Sequence, residues 1–146
     1  MYKEILDYIQ TQRICVLAVE MPDGSPHAAT VHFAYSESPF EFYIFTDTDT
    51  RKYESLLAKV ETRASVVVGF DDTKAVMKTL QIDGKLSVLK DEKLKSAQEI
   101  YFGKYENKKE FMDDEECSLM VFIPTWWRFT DWTTPEGKKI WLSTDK

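Results

Sequence analysis

The sequence predicts a mainly β fold, a six-stranded antiparallel β-barrel with helices at its ends. About six apolar segments have the length and alternation of strands, most are joined by short turns, and helices do not alternate regularly with them. A doubly wound parallel sheet needs that alternation, so an antiparallel barrel is favoured. With 146 residues, 43% of them hydrophobic, the chain is predicted to form one domain, 1–146.

The first part of the chain is predicted to contain a helix and three strands. An amphipathic pattern from Tyr2 to Ile9 predicts the helix. An Asp-Gly pair between two prolines at 21–26 and the sequence SESP at 36–39 mark turns. The predicted strands are 13–20 (RICVLAVE), 27–35 (HAATVHFAY) and 40–46 (FEFYIFT).

Three long strands and a short closing strand are predicted in the remainder. The valine run at 66–68 predicts a strand buried on both faces, and Gly84 predicts a bulge or a bend. The sequence FDDTK at 70–74 predicts a turn. The predicted strands are 62–70, 76–89, 117–132 and the end of 133–142.

A third helix is predicted between the last two long strands. Asp91 is placed as its N-cap and Gly103 as its end. The charged connection that follows, 104–116, is predicted to be solvated and partly helical. The apolar face of this helix is formed by Leu94, Ala97 and Tyr101.

Charge and composition argue against several classes of protein. The net charge of −6 disfavours a nucleic-acid binder, which normally carries a basic stripe. No apolar run reaches membrane-spanning length, and the first residues lack the apolar core of a signal peptide. We therefore expect a cytoplasmic protein that binds neither nucleic acid nor a membrane. With five glycines and no GxGxxG or Walker pattern, a glycine-rich phosphate loop is not expected either.

Histidines and cysteines are too few and too scattered to predict a metal site. His27 and His32 are five residues apart on one predicted strand, so they face opposite sides of the sheet. Cys15 and Cys117 fit neither a redox pair nor a zinc site, and we expect two buried free thiols. No serine has a nearby His–Asp arrangement, so a hydrolase triad has no support.

A pair of adjacent cations, Arg51 and Lys52, marks the start of the second predicted helix. Thr50 is in the N-cap position, so both cations lie in the first turn, at the positive end of the helix dipole. Free backbone N–H groups, a hydroxyl and two cations form a site for a phosphate. The alternative is that the cations pair with Asp47 and Asp49 or extend into water.

The same helix is predicted to bury one face. Tyr53, Leu56, Leu57 and Val60 recur at helical spacing, which predicts a helix to about Val60.

A second candidate feature is the aromatic sequence TWWRFTDW at 125–132. Its tryptophans are predicted to belong to the core, to a subunit interface, or to a platform for a flat cofactor.

Five segments in order resemble the pyridoxamine 5′-phosphate oxidase-like family of FMN-binding split barrels. They are CVLAVEMPDGSPHAATVHF, FYIFTDTDTRKYESLL, ASVVVGF, TLQIDGKLSVL and PTWWRF. The resemblance covers nearly the whole chain and implies a split β-barrel of Greek-key topology that forms a homodimer with two FMN sites at its interface. It is strongest with the family's small general-stress-protein-like branch.

The resemblance also implies which residues bind FMN. Arg51, Lys52 and the preceding Thr50 would bind the phosphate, and Phe45 and Thr46 would lie beside the flavin and its ribityl chain. Residues of three other strands would meet the ring. The backbone at Ala29, Thr30 and Val31 would run along the ring edge, and the side chains of Thr79 and Gln81 would form hydrogen bonds with the ring. An aromatic residue of a second chain, Trp127 or Trp126, would cover the ring.

Three departures from the family pattern argue against a true pyridoxamine phosphate oxidase. That enzyme has an arginine at the position of Ala29 and a glutamine at the position of Thr79. It also ends in a segment with an arginine and a histidine that grip the substrate, whereas no histidine follows His32 here. The expected function is an FMN-dependent oxidoreductase of unknown substrate, with no catalytic side chain identified. The alternatives are a non-enzymatic FMN redox or stress sensor, a relative that uses deazaflavin F420 or haem, and a cofactor-free dimeric module.

Overall fold

The computed structural model describes residues 2–69 and 77–145 and has the predicted mainly β architecture. Within these residues there are eight strands, three α-helices and a 3₁₀ helix at Glu106–Phe111. The helices are α1 (Lys3–Ile9), α2 (Arg51–Ala58) and α3 (Asp91–Lys104). The strands are β1 (Ile14–Glu20), β2 (Pro26–His32), β3 (Ala34–Glu37), β4 (Phe40–Asp47), β5 (Glu61–Val68), β6 (Lys78–Val88), β7 (Cys117–Thr134) and β8 (Gly137–Leu142).

All strand pairs are antiparallel, and the sheet curls into a half-barrel. Its order is β2-β1-β5-β6-β7-β4-β3, and β8 pairs with β7. The four strands β4 to β7 take the order β4-β7-β6-β5, because the connection through α2 carries the chain across the sheet. That arrangement is a Greek key, as the resemblance implies.

The main core fills the concave side of the sheet. Phe33, Phe42 and Phe122 are fully buried in it, and the first two rings stack with centroids 4.9 Å apart. α1 covers one end through Ile5 and Ile9, which have no exposed surface. A second, smaller core lies on the outside of the sheet, where α3 packs on β3 and β4 and residues of β7 join the cluster. Its centre consists of Tyr43, Ala97, Tyr101, Phe102, Leu119 and Val121.

The strand count is eight rather than six for two reasons. The predicted strand 27–35 is divided at Phe33, because β2 pairs with β1 whereas β3 pairs with β4. Phe33 donates its backbone N–H to the carbonyl of Arg13 and buries its ring at this change of partner. The second reason is β8, the predicted closing strand, which forms a hairpin with β7.

Two predicted burial patterns are wrong. Val67 of the valine run is 40% exposed, because β5 alternates and only Val66 and Val68 face the core. In α2, Tyr53 and Leu56 pack against the core, but Leu57 and Val60 are 72% and 91% exposed. α2 ends at Ala58 and the backbone becomes extended at Lys59, so Val60 leaves the helical face.

The predicted irregularity at Gly84 is confirmed. The register between β6 and β7 shifts between Asp83 and Gly84, which indicates a bulge. A Cβ atom at Gly84 would lie 2.3 Å from the carbonyl oxygen of Ile123, so glycine allows the two backbones to approach.

The ends of the third helix differ slightly from the prediction. α3 has its N-cap at Lys90, not Asp91, and continues one residue past Gly103. The predicted turn at 70–74 lies outside the described residues. No helix in the described part of the chain is long and apolar enough to cross a membrane.

Candidate functional site

A cleft of about 470 Å³ lies where β2, β4 and the start of α2 face α3 and the 3₁₀ helix. These elements meet because β2 ends beside the core at Phe33 and β4 leads directly into α2. The cleft brings together a majority of the residues predicted to bind the cofactor, from β2, β4 and the start of α2. They are Thr30, Val31, Phe45, Thr46, Thr50 and Lys52.

Thr50 is the N-cap of α2, as predicted, but its hydroxyl does not cap the helix. The Oγ1 atom donates a hydrogen bond to the carbonyl oxygen of Asp47 at 3.0 Å and lies 3.3 Å from Oγ1 of Thr46. The side chain of Thr50 therefore leaves the first-turn N–H groups of α2 without a side-chain acceptor. These donors are available to an anion bound at the helix start.

Lys52 is half-buried in the wall of the cleft. Burial lowers the pKa of its amine, and the carboxylates of Asp47 and Asp49 partly oppose this shift. Neither acid forms an ion pair with Lys52 within the described residues, so the simple pairing alternative is not what the structure contains. A desolvated cation that lacks a close counter-ion is a strong site for a phosphate oxygen.

Arg51 does not line the cleft. Its side chain is exposed, and its charge acts on the carboxyl of Asp23 in the β1–β2 turn. Hydrogen bonds from Ser25 are the main cause of the lowered pKa of the Asp23 carboxyl, and Arg51 adds to the effect. The two adjacent cations, which we predicted to bind one phosphate together, therefore have different surroundings in the structure.

The remaining predicted cofactor residues lie outside the cleft of this chain. Ala29 faces the core opposite Leu17, on the side of β2 away from Thr30. Thr79 is buried, and its hydroxyl lies 3.4 Å from the carbonyl oxygen of Val68. Gln81 is exposed on the outer face of β6.

Trp127 is also outside the cleft. It packs against the main core and meets Tyr2 edge to face, with centroids 6.1 Å apart. Trp126 is half-buried, and Trp132 is 39% exposed. The role of Trp127 above a second chain's flavin stays a prediction.

The far wall of the cleft comes from residues that the sequence analysis did not select. Tyr101, Lys108 and Phe111 reach it from α3 and the 3₁₀ helix. Tyr101 is buried, which raises the pKa of its phenol, and Phe111 is 41% exposed. An exposed aromatic inside the charged sequence KKEF was the one available signal for this wall.

The histidines and cysteines take the predicted places with one exception. His27 and His32 lie on opposite faces of β2, and His32 lines the cleft. Cys15 is a buried free thiol, but Cys117 is only half-buried, at the start of β7. Its thiol lies 3.4 Å from Oδ1 of Asp47, and desolvation together with that carboxylate raises its pKa to about 11.

Another cavity, of about 530 Å³, lies beside the β1–β2 turn, and no residue of α2 lines it. Its charged groups are already paired. Arg63 binds Glu20, and Oγ of Ser65 donates to the carboxylate of Asp83 at 2.9 Å. Because these groups are satisfied, the cleft at α2 is the better candidate for an anionic ligand.

The family of this chain follows from its sequence. The model of the pyridoxamine 5′-phosphate oxidase family matches residues 1–131. No curated protein matches the sequence.

Solved structures resemble the fold at low sequence identity. One is a protein of Clostridium acetobutylicum related to general stress protein 26 of B. subtilis, with a TM-score of 0.67, 16% identity, and coverage of 94% of this chain and 91% of that chain. A second is a pyridoxamine 5′-phosphate oxidase-related, FMN binding protein of Nostoc punctiforme, with a TM-score of 0.69, 14% identity, and coverage of 96% and 88%.

A third similar structure is a heme binding protein of Mycobacterium smegmatis. Its TM-score is 0.71 at 12% identity, and the match covers 90% of this chain but 53% of that chain. The chain thus spans about half the length of this neighbour. At such identities, the three structures establish the shared fold.

Proposed function

Because the chain belongs to the pyridoxamine 5′-phosphate oxidase family, we propose that it is an FMN-binding flavoprotein, an oxidoreductase that acts as a homodimer. The observation that carries this proposal is the cleft at the start of α2. It joins a desolvated lysine, two hydroxyls and free helix N–H groups to an apolar wall. A phosphate attached to a flat aromatic ring needs this combination of surfaces.

The phosphate end of FMN would be held at α2. Lys52 supplies the charge, the N–H groups of the first turn supply donors, and Thr46 and Thr50 supply hydroxyls. Lys108 lies on the opposite wall and adds a second cation to the cleft. The residues present therefore fit a phosphate group.

The ring end of FMN would lie against the apolar side of the cleft. Val31 and Phe45 provide that surface, and the strand at Thr30 provides backbone hydrogen-bonding groups along it. FMN, when bound, supplies the electron and hydride transfer. The protein's part is to bind the phosphate, orient the ring and limit its exposure to water.

A homodimer would complete this site, because Thr79, Gln81 and Trp127 lie outside the cleft of one chain. The exposed outer face of the sheet supports such a contact. Val16 and Val67 lie opposite each other on β1 and β5 and are 42% and 40% exposed. An apolar pair in the middle of an exposed sheet is typical of a surface that a partner covers.

Binding of FMN to the purified protein tests the proposal. We expect flavin absorption near ~450 nm, release of FMN on denaturation, and saturable rebinding. The double variant Arg51→Ala/Lys52→Ala should bind FMN far more weakly, since the charged contact of Lys52 with the phosphate is lost. A colourless protein that also fails to bind added FMN would contradict the proposal.

Haem binding is the second candidate, on the strength of one observation. His32 lines the cleft, with its ring edge to face against Tyr105, and a neutral imidazole is a common axial ligand of haem iron. A Soret band on addition of hemin that disappears in His32→Ala would favour haem over FMN.

Reduction of the bound flavin by NADH or NADPH would separate an oxidoreductase from a sensor.

A further inference from the structure

A groove of about 620 Å³ lies between the end of α2 and the start of α3, on the side of the sheet formed by β4, β6 and β7. It shares no lining residue with the FMN cleft, although α2 contributes to both. The volume is within the ordinary range of small-molecule sites. We call it the lysine-rimmed groove.

Exposed aliphatic side chains line the groove. Leu57 and Val60, the two residues of α2 and its connection that fail to enter the core, are 72% and 91% exposed here. Ile123 of β7 adds a third large apolar side chain and is 43% exposed. Large aliphatic groups gathered in one concave surface are a binding feature, whereas single exposed ones are ordinary.

The rim of the groove is positive although the chain has a net charge of −6. Lys59, Lys90 and Lys93 line it, and of the described residues that do so Glu41 alone is acidic. Lys59 lies 3.7 Å from the carboxylate of Glu20. Lys90 and Lys93 are exposed and form no ion pair within the described part of the chain.

We propose that the lysine-rimmed groove binds an amphiphile that has one apolar chain and an anionic head group, such as a medium-chain carboxylate. The aliphatic lining covers the chain by the hydrophobic effect, and Lys90 and Lys93 at the start of α3 bind the head. The groove contains one strip of apolar side chains beside one group of cations, which matches the shape and polarity of a single-chain anion. The site is independent of the bound flavin.

Isothermal titration calorimetry of the full-length protein with sodium decanoate tests this site. We expect saturable binding of decanoate. Butyrate, which lacks the chain, and decyltrimethylammonium, which has the opposite charge, should bind at least about tenfold more weakly, the factor that corresponds to 1.4 kcal/mol. Equal binding of the cationic amphiphile would overturn the proposal.

Two variants separate the roles of head and chain. Lys90→Glu/Lys93→Glu should weaken decanoate binding by about tenfold or more, whereas Lys95→Glu/Lys138→Glu, the same change of charge on exposed residues outside the groove, should not. Leu57→Asn/Val60→Asn should weaken it as well, and both sites are exposed enough for the variant to fold.

A second copy of the chain is the competing occupant of the groove. Sedimentation velocity without decanoate distinguishes it. If the wild-type protein self-associates and Leu57→Asn/Val60→Asn abolishes that association, a protein surface covers the groove and the proposal is wrong. Unchanged association in this variant together with lost decanoate binding supports it.

Discussion

Lys52 and Arg51 are adjacent in sequence but differ in their surroundings. Lys52 lies in the wall of the cleft and is half-buried, whereas Arg51 is exposed and does not line the cleft. Successive residues of a helix point about 100° apart, so two adjacent cations at a helix start present different faces to a ligand there. The sequence shows two cations at a helix start, and the packing of α2 decides which one faces the cleft.

Lys52→Met should therefore weaken FMN binding more than Arg51→Met does. A charge-assisted hydrogen bond contributes about 1.5–3 kcal/mol, which corresponds to a roughly 10- to 150-fold loss of affinity for Lys52→Met. Quenching of FMN fluorescence measures the affinity. Lys95→Met, on the exposed side of α3, is the matched control. Equal losses from both variants would mean that Arg51 also reaches the phosphate.

Lys104 is the residue with the most unusual setting outside the cleft. Its amine donates hydrogen bonds to the carbonyl oxygens of Gln12 and Phe33 at 2.7 and 2.9 Å and lies 4.5 Å from the centre of the Phe33 ring. These contacts fasten the end of α3 to the point where β2 gives way to β3. Burial, and secondarily the charge of Arg13, lowers the pKa of Lys104 to about 8 from 10.5.

This shift predicts a pH dependence of stability. Between about pH 8 and 10.5 the unfolded chain holds the Lys104 proton and the folded chain has lost it, so the free energy of unfolding rises with pH. The slope stays below about 1.4 kcal/mol per pH unit, the limit for one proton, since solvent screens a partly exposed amine.

Urea unfolding of the wild-type protein and Lys104→Met at pH 7.5, 9 and 10 measures this slope. The comparison is needed because the buried thiol of Cys15, with its pKa raised to about 12 from 9.0, lowers stability as pH rises over an overlapping range. The difference in unfolding free energy between the two proteins should change in favour of the wild type as pH rises. A constant difference would contradict the assignment.

At the scale of elements, the regular spacing of apolar residues predicted the positions of strands correctly. The errors arose where contacts with distant parts of the chain decide the structure. The predicted centres of β1, β4 and β6 agree with the structure, because their alternation reflects one face on the core. The division at Phe33 was not predictable, because nothing local tells a strand that its partner changes from β1 to β4. Val60 was misassigned because the apolar spacing continues after the helix has ended.

One half of the cleft could be predicted from the sequence, and the other half could not. Its phosphate end lies within one continuous segment, Thr46 to Lys52, where a strand leads into a helix. Its far wall comes from Tyr101, Lys108 and Phe111, which are about fifty residues further along the chain. A pattern read locally cannot show that α3 folds over the outside of β4, so this half required the structure.

Two glycine-to-alanine substitutions, one at the β6–β7 bulge and one in α3, should change the stability of the protein in opposite directions. Gly84→Ala should destabilise the protein by about 1–3 kcal/mol, because its Cβ would meet the Ile123 carbonyl oxygen at 2.3 Å and the backbones must separate. Gly103→Ala, in α3 with nothing within 4 Å, should stabilise it by about 0.5–1 kcal/mol through helix propensity. Thermal unfolding of both variants measures the effects. Similar stabilities would mean that the bulge tolerates a side chain.

For the whole molecule, the outer face of the sheet and the lysine-rimmed groove are two separate exposed apolar surfaces. Ile14, Val16 and Val67 lie on β1 and β5, next to Thr30 of the cleft, since Val16 is in register with both Thr30 and Val67. Leu57 and Val60 lie at the other end of α2 from the cleft. Of the two surfaces, only the first adjoins the proposed FMN site, so we expect a homodimer that completes this site to use it.

Val16→Glu/Val67→Glu should therefore convert a dimer to a monomer and weaken FMN binding at the same time. Placing two charges in a protein–protein contact leaves them desolvated and unpaired, which costs several kcal/mol. Both residues are exposed in the single chain, so the variant should fold. Multi-angle light scattering measures the mass, and FMN fluorescence measures the affinity.

Leu57→Glu/Val60→Glu is the matched control, because it adds the same charges to the other apolar surface. We expect it to remain dimeric with unchanged FMN affinity. A monomeric control beside a dimeric Val16→Glu/Val67→Glu would place the dimer contact at α2 and remove the argument that a second chain reaches the flavin. Loss of dimerisation without loss of FMN affinity in Val16→Glu/Val67→Glu would show that one chain binds the cofactor by itself.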